Sequence, residues 1–188
     1  MDRSHGIRAG FDDCQKPLPD IVAQYLAIIF CGLNPGVSSA AAGHHFTNRS
    51  NRFWRVLHLA GFTPHELRPE DDWTLPNLGL GLTTVVARPT PGVDDLDPRE
   101  FVDAAPALRQ RLDDLQPRCV AFLGKAAYGA IVGRREVTWG QQPDRFGTAA
   151  VWVLPNPSGR NRAFTLDELV ASYHLLRIFA DQQQKFTR

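Results

Sequence analysis

Cysteine is scarce in this sequence, and the few cysteines stand far apart. The chain has three of them, Cys14, Cys31 and Cys119. This odd number excludes a simple disulfide framework, and the spacing is not that of a zinc site or an iron–sulfur cluster. Cys31 and Cys119 lie in apolar runs, where a thiol usually acts as a small buried hydrophobic group. We therefore expect a cytoplasmic protein that holds no metal and no cofactor.

Long apolar runs and a large excess of one charge are also missing. The apolar runs are no longer than strands, and the N-terminus is polar, so the sequence predicts neither a membrane span nor a secretory signal. With 21 Lys and Arg against 20 Asp and Glu, the net charge is +1. This balance argues against a protein that coats a polyanion without specificity, but it leaves room for a local basic patch.

The length of 188 residues suits one domain. We predict a loose polar leader over residues 1–20 and a single domain over residues 21–188, and we expect a monomer. Four short apolar runs, rich in β-branched residues, are predicted to be strands: residues 27–31, 82–87, 119–123 and 150–154. Continuous rather than alternating hydrophobicity is typical of parallel strands that are buried on both faces.

Amphipathic helices are predicted between these strands and after the last one. One follows Asn51, two cover residues 101–115 and 125–132, and the last begins at a capping box formed by Thr165 and Glu168. The alternating order predicts an α/β domain with helices covering a mainly parallel, four-stranded sheet.

In sheets of this kind, ligands bind beyond the carboxyl ends of the strands. The segments that follow the predicted strands are polar and rich in Pro and Gly: residues 32–36, 88–95, 124–125 and 155–162. We expect them to converge on one site. The usual phosphate-loop, dinucleotide and serine-hydrolase signatures are missing, and the adjacent His44 and His45 lack the spacing of metal ligands.

Several side chains near the first strand have two readings. Asn34 could hold a water molecule, or it could merely cap its turn. Phe46 could belong to the core or could stack on a base. Arg49, Arg52 and Arg55 recur every three residues, as either a solvated helix face or a stripe that faces phosphates.

The segment after the fourth strand favours the nucleic-acid reading. It is stiff, small and doubly basic, with the sequence Asn156, Pro157, Ser158, Gly159, Arg160, Asn161, Arg162. A rigid turn that carries a long side chain suits insertion into a duplex from which a base has left the stack.

Taken in order, the motifs GLNPG, GHHF, NRFW, RPTPG, LGKAAY and WVLPNPSGRNR resemble those of the mismatch-specific uracil/thymine DNA glycosylases, within the uracil-DNA glycosylase superfamily. The resemblance runs from about residue 27 to residue 173. It implies a three-layer α/β/α fold around a short parallel sheet. It also implies that Asn34 holds the hydrolytic water and that Phe46 stacks on the flipped base.

Further site residues follow from the same resemblance. The base pocket would include Leu33, Gly36 and Ser39, with Ser39 near the pyrimidine 5-position. The loop 156–162 would be the wedge that fills the vacated stack and contacts the orphaned guanine. At Arg160 some relatives carry leucine and others arginine, which bears on the choice of opposite base.

Charged residues complete the predicted site. Lys125, before a predicted helix, and Arg52 would hold phosphates of double-stranded DNA. Asp94 and Asp95 are candidates to assist catalysis, although they could instead be an acidic helix entry.

The expected activity is base excision repair of DNA damage. The enzyme would flip uracil, or thymine or a related damaged pyrimidine, out of a mismatch and hydrolyse its glycosidic bond. No lysine stands in the water turn, so strand cleavage through a Schiff base is not expected. There are three alternatives: an iron–sulfur type of uracil glycosylase and a nucleotide-binding α/β enzyme, which the missing cysteine cluster and the missing fingerprints disfavour, and a non-catalytic lesion-binding module. The last is the main alternative.

Overall fold

A central sheet of five strands organises the chain. The computed structural model describes residues 17–185. The strands are β1 (Ile28–Gly32), β2 (Leu80–Thr84), β3 (Cys119–Leu123), β4 (Gly140–Phe146) and β5 (Ala149–Leu154). They lie in the order β2-β1-β3-β5-β4, and every neighbouring pair is parallel except β4 with β5. The predicted α/β class with a mainly parallel sheet is therefore confirmed, but the count of four strands was wrong.

The strand that the sequence did not reveal is β4. Its residues, GQQPDRF, include no apolar run, and a proline lies in the middle. Such a strand is tolerated only at a sheet edge, where one side needs no hydrogen-bonding partner. β4 pairs with β5 alone, and the pairing register shifts between Gln141 and Arg145.

Helices cover both faces of the sheet. The helices are α1 (Val37–Ala42), α2 (Phe53–Leu59), α3 (Pro98–Leu115), α4 (Lys125–Val132) and α5 (Leu166–Lys185), with 3₁₀ segments at Pro69–Leu78 and Val93–Asp95. One apolar cluster joins α2 and α5 to one face, and a second joins α3 and α4 to the other. The expected three layers follow from this division.

Alternation along each strand produces the two clusters. In β1, Ile28 and Phe30 face the cluster of α2 and α5, whereas Ile29 and Cys31 face that of α3 and α4. All four side chains are at most 1% exposed. Both faces of the strand need apolar residues, which explains why the sequence reads as an uninterrupted apolar run.

The capping box predicted for the last helix is confirmed, whereas the N-cap of α2 is Arg52 rather than the preceding Asn51. Asn51 Oδ1 accepts a hydrogen bond from Phe53 N at 2.9 Å. Thr165 and Glu168 form the reciprocal box, with Glu168 Oε2 accepting from Thr165 N at 2.7 Å and Thr165 Oγ1 accepting from Glu168 N at 3.3 Å. The helix α1, made of small residues, was not foreseen.

The predicted leader lies partly outside the described residues, as does Cys14. Where the structure describes it, the chain is packed onto the domain: Leu18 is 7% exposed, and Asp20 accepts a hydrogen bond from Thr83 Oγ1 at 2.8 Å. Asp20 also pairs with Arg111 at 3.1 Å. None of the helices within residues 17–185 is both long and apolar enough to cross a membrane.

Candidate active site

A cavity of about 500 Å³ opens at the carboxyl edge of the sheet. Three of the predicted rim segments line it: the turn after β1, the loop after β2 and the loop after β5. The predicted residues in its wall are Leu33, Asn34, Gly36, Ser39, Phe46, Asn156, Ser158, Gly159, Arg160 and Asn161. Parallel strands bring these segments together, although they are far apart in the chain.

The Asn34 amide is held in one orientation. Its Nδ2 donates to Arg88 O and to Thr90 Oγ1, both at 2.8 Å. Thr90 Oγ1 in turn donates to Gly92 O at 2.6 Å, so its oxygen is free to accept the amide hydrogen. Both hydrogens of Nδ2 are used, and within the described part of the chain Oδ1 has no partner. An acceptor is thus available at the cavity wall.

The turn after β1 is tied to the loop after β2. Thr90 N donates to Pro35 O at 3.1 Å, and Val37 N donates to Thr90 O at 3.3 Å. A Cβ added to Gly36 would meet nothing within 4 Å, so this residue faces open space. The turn is therefore rigid where the cavity begins and leaves room for a ligand.

Phe46 has one ring face on the core. Its ring lies 4.1 Å from that of Phe53, with 22° between the planes, and it meets Trp54 edge to face at 6.4 Å. The side chain is half-buried and lines the cavity. Its φ of 56° is in the left-handed region, which a large side chain occupies only when its surroundings hold it there. Phe46 is therefore part of the core and part of the cavity wall, and its stacking on a base stays a prediction.

Ser39 lies in the cavity wall and is buried, with 6% of its surface exposed. Its Oγ accepts a hydrogen bond from Thr47 N at 3.3 Å and lies 3.2 Å from Thr47 Oγ1. The hydroxyl is thus held next to the segment that carries Phe46.

His45 and Asp72 were missed as site residues. His45 lines the cavity, is 3% exposed, and donates through its backbone N to Asp72 Oδ2 at 3.0 Å. His44 Nδ1 lies 3.2 Å from the other oxygen of the Asp72 carboxylate. The buried carboxylate therefore holds the residues that precede Phe46. In the sequence, only the GHHF motif indicated a role for the histidines, and no local pattern indicated a role for Asp72.

The protonation of His45 follows from its contacts. Its Nε2 lies 2.9 Å from Pro19 O, an acceptor, so Nε2 carries the hydrogen and Nδ1 has the lone pair. Burial lowers the pKa of His45 below its ordinary 6.5, more than the carbonyl of Pro19 and the charge of Asp72 raise it. The imidazole is neutral at pH 7.

Acidification is expected to destabilise the protein through His45. The unfolded chain binds a proton at this residue near pH 6.5, whereas the folded protein resists it until lower pH. Because the unfolded state binds more protons in that interval, the free energy of unfolding falls as the pH falls from about 6.5 toward the folded pKa. Thermal unfolding between pH 7.5 and 5.5, values about one unit either side of the free pKa, measures this slope.

The variant His45→Gln, whose amide can still donate to Pro19 O, should flatten the dependence of unfolding on pH. The exposed His65 is the matched control, since His65→Gln should leave the slope unchanged. An unaltered slope in His45→Gln would show that other groups carry the effect.

Asparagine side chains give the loop after β5 its shape. Asn156 Oδ1 accepts from Ser158 N at 2.9 Å, and Asn156 Nδ2 donates to Leu123 O at 3.3 Å. Asn161 Nδ2 donates to Asn156 O at 2.8 Å. The two amides therefore fold the loop on itself. Pro157 is buried, which leaves little of its surface for the predicted contact with DNA.

Two arginines of this loop point outward to different degrees. Both Arg160 and Arg162 are exposed, but only Arg160 lines the cavity. A Cβ added to Gly92 would stand 2.7 Å from Arg160 Nη1, so the guanidinium reaches across to the loop after β2. Arg160 is thus a long side chain at the cavity edge, and its insertion into DNA stays a prediction.

Arg52 has a different role from the predicted phosphate contact. Its guanidinium donates to four backbone carbonyls, those of Pro157, Ser158, Asn161 and Phe164. These bonds use its Nε, Nη1 and Nη2 atoms inside the protein, so the side chain is not free to reach a phosphate. The sequence showed the basic stripe but not the carbonyls that Arg52 meets.

Lys125 lies outside the cavity wall, at the first position of α4. Its Nζ is 4.4 Å from the centre of the Trp139 ring, and Trp139 in turn meets Phe164 edge to face at 5.3 Å. No carboxylate among residues 17–185 forms an ion pair with it. The phosphate contact of Lys125 stays a prediction. The neighbouring Trp139 side chain is 40% exposed.

Asp94 and Asp95 do not line the cavity. Both are exposed, and Asp95 Oδ2 accepts a hydrogen bond from Gly92 N at 2.9 Å, closing the short 3₁₀ turn. Asp97, the N-cap of α3, accepts from Arg99 N at 2.9 Å. The geometry agrees with the alternative reading of this segment as an acidic helix entry.

Comparison with known proteins identifies the family. The model of the uracil DNA glycosylase superfamily matches residues 19–177. The chain belongs to this superfamily. A solution NMR structure of a protein from Methanosarcina acetivorans, described as a candidate uracil DNA glycosylase, has a TM-score of 0.51 to it at 20% identity, covering 87% of this chain and 98% of that one. At that identity the likeness supports the fold alone.

The superfamily match extends over nearly the whole cavity wall. The match spans all five strands and most of α5, so it includes every residue that lines the cavity except Leu18. Within residues 17–185, no group of three or more His, Cys, Asp or Glu side chains is arranged to hold a metal ion.

Proposed function

We propose that this protein is a monofunctional DNA glycosylase that removes uracil from mismatched duplex DNA and leaves an abasic site. The observation that carries the proposal is Asn34. Its Nδ2 is held by two hydrogen bonds, and its Oδ1 is left as an unpartnered acceptor, within the described residues, at the cavity wall. Membership of the superfamily supplies the class of reaction.

The proposed reaction is hydrolysis. The bond between the sugar C1′ and the uracil N1 breaks, and its electron pair leaves with the base. A water oxygen bonds to C1′ and its proton passes to solvent. An asparagine amide cannot accept that proton, so Asn34 would act by holding the water beside the cationic sugar.

Phe46 would receive the flipped base. One face of its ring rests on Phe53, which leaves the cavity side for stacking. The left-handed backbone at Phe46 is held by the hydrogen bond between His45 N and Asp72. Because this stacking surface is ordered before the base binds, no binding energy is used to order it.

The preference for mismatches would come from the cost of flipping. Extruding a base costs a few kcal/mol, and least when the base is mispaired. The loop 156–162 would enter the space that the base leaves, with Arg160 at the cavity edge as the inserted side chain. Double-stranded DNA with a mismatched or damaged pyrimidine is therefore the proposed partner.

Single-turnover cleavage of labelled duplexes containing G·U, A·U and G·T tests the proposal with the enzyme in excess. We expect cleavage of G·U to be fastest. Equal rates for G·U and A·U would leave a glycosylase without mismatch preference. Tight binding without cleavage of any duplex would favour the non-catalytic lesion-binding module.

Removing both acidic candidates should barely change the chemistry. Because Asp94 and Asp95 stand outside the cavity wall, the double variant Asp94→Asn and Asp95→Asn is expected to keep its single-turnover rate to within about threefold, well short of the 10²–10⁴ typical of a lost general base. Rapid-quench measurements with a G·U duplex give the rate. A fall of about a hundredfold would restore the two carboxylates as catalytic groups.

A further inference from the structure

One arginine joins the two halves of the site. Arg52 donates five hydrogen bonds to the loop after β5, one from its backbone N to Pro157 O at 3.0 Å and four from its guanidinium. The guanidinium distances are 2.8 Å to Phe164 O, 2.9 Å to Asn161 O, 3.1 Å to Ser158 O and 3.4 Å to Pro157 O. No carboxylate among residues 17–185 pairs with it.

The neighbours of Arg52 in the chain belong to the base pocket. Asn51 lines the cavity and accepts a hydrogen bond from Phe53 N. Phe53, fully buried, lies under the ring of Phe46. Arg52 therefore stands between a residue of the cavity wall and the residue that supports the stacking surface.

The loop depends on these bonds because it has no regular structure of its own. Residues 155–165 belong to neither helix nor strand, so their carbonyls need other donors. A planar guanidinium presents five N–H groups in a fixed fork, which suits several carbonyls at different angles. A lysine has three donors around one point and cannot reproduce this arrangement.

We propose that Arg52 is a positioning residue that holds the wedge loop, residues 156–162, and the two residues after it in register with the base pocket. This inference rests on the proposed function. The loop enters the duplex while the base enters the cavity, and Arg52 makes the two surfaces move as one body. Loss of the Arg52 hydrogen bonds then slows cleavage of a substrate whose base pair has to be opened. Cleavage of a base that is already unpaired is little affected.

The test compares Arg52→Lys with the wild type on uracil in a G·U duplex and on uracil inside an unpaired bubble, both under single turnover. We expect a loss of at least about tenfold on the duplex and a change of less than about threefold on the bubble. Arg55→Lys is the matched control, since Arg55 is an exposed arginine three residues further along, in α2. An equal loss on both substrates, or no loss on the duplex, would overturn the proposal.

Hydrogen exchange measured by mass spectrometry makes the test independent of catalysis. In Arg52→Lys, the amides of residues 156–164 should exchange faster, while those of β1 and β3 keep their protection. Unchanged exchange in the loop would overturn the proposal that Arg52 holds the loop in place. If the wild type cleaved no substrate, the proposed function would fail, and the exchange result would still decide the role of Arg52.

Gly159→Ala displaces the same loop without touching Arg52. A Cβ at Gly159 would stand 2.5 Å from both Cβ and O of Ser50, which is too close for any side chain. The same selective loss on the duplex is expected. A selective loss in Gly159→Ala combined with a uniform loss in Arg52→Lys would show that the loop matters but that Arg52 does not position it.

Discussion

Asn34→Ala is expected to lower the single-turnover rate on a G·U duplex by roughly a hundredfold or more, the scale of effect when a reacting group loses its position. The amide is the acceptor that would hold the attacking water, and its orientation is secured by Arg88 O and Thr90 Oγ1. Alanine removes the acceptor and leaves the fold of the turn to its backbone bonds. Rapid-quench cleavage measures the chemical step, and gel-shift binding to the same duplex separates it from recognition.

Asn77→Ala is the matched control for this experiment. Asn77 is also an asparagine, but it is exposed and does not line the cavity. Its rate should equal that of the wild type. If Asn34→Ala retained the full rate with normal binding, the water would have to be held by another group, and the observation that carries the proposed function would be lost.

Phe46→Leu is expected to weaken cleavage by roughly 10- to 100-fold, because stacking on an aromatic ring contributes about 1–3 kcal/mol per base. Leucine keeps an apolar side chain against Phe53 but offers no flat face to a pyrimidine. The loss should appear in the single-turnover rate at low enzyme concentration. At a saturating enzyme concentration the loss in rate should be smaller, because the missing stacking contact weakens binding of the base and saturation compensates for weaker binding.

Phe46→Tyr and Phe62→Leu separate stacking from packing. Tyrosine retains the ring at position 46 and should act close to the wild type. Phe62 meets Phe30 edge to face at 5.5 Å and does not line the cavity, so Phe62→Leu costs stability without this pattern of rates. An equal effect of Phe46→Leu and Phe62→Leu would assign the loss to the core rather than to stacking.

Most of the sheet could be predicted because each of its buried strands is a run of consecutive apolar residues. The run 119–123 matches β3 at both ends, and the prediction for residues 125–132 matches α4. Each run is continuous in the chain, and each is bounded by its own turn signals. Strand β4 carries no such pattern, since its Gln142 and Phe146 are the buried residues among polar ones. An edge strand needs few apolar side chains, so its sequence looks like a loop.

Part of the candidate site followed from topology in the same way. Parallel strands place their carboxyl ends at one edge, so the segments that follow them had to meet, and Asn34 and Arg160 do line one cavity. The motifs supplied the expected roles of Phe46 and the wedge loop. Sequence reasoning did not find His45 and Asp72, whose contact joins residues 27 positions apart.

The sequence by itself determined four of the five strands, the capping box that begins α5 and three of the segments that share the rim, since each depends on neighbouring residues. Only the tertiary structure decided what the polar side chains do there. Arg52 meets carbonyls more than 100 positions along the chain, so its basic stripe could not reveal whether it faces phosphate or protein. Asp94 and Asp95 followed the right strand but were turned away from the cavity by the local bond of Asp95 to Gly92. A hydrogen bond depends on distance in space, and the order of residues specifies that distance only after the chain has folded.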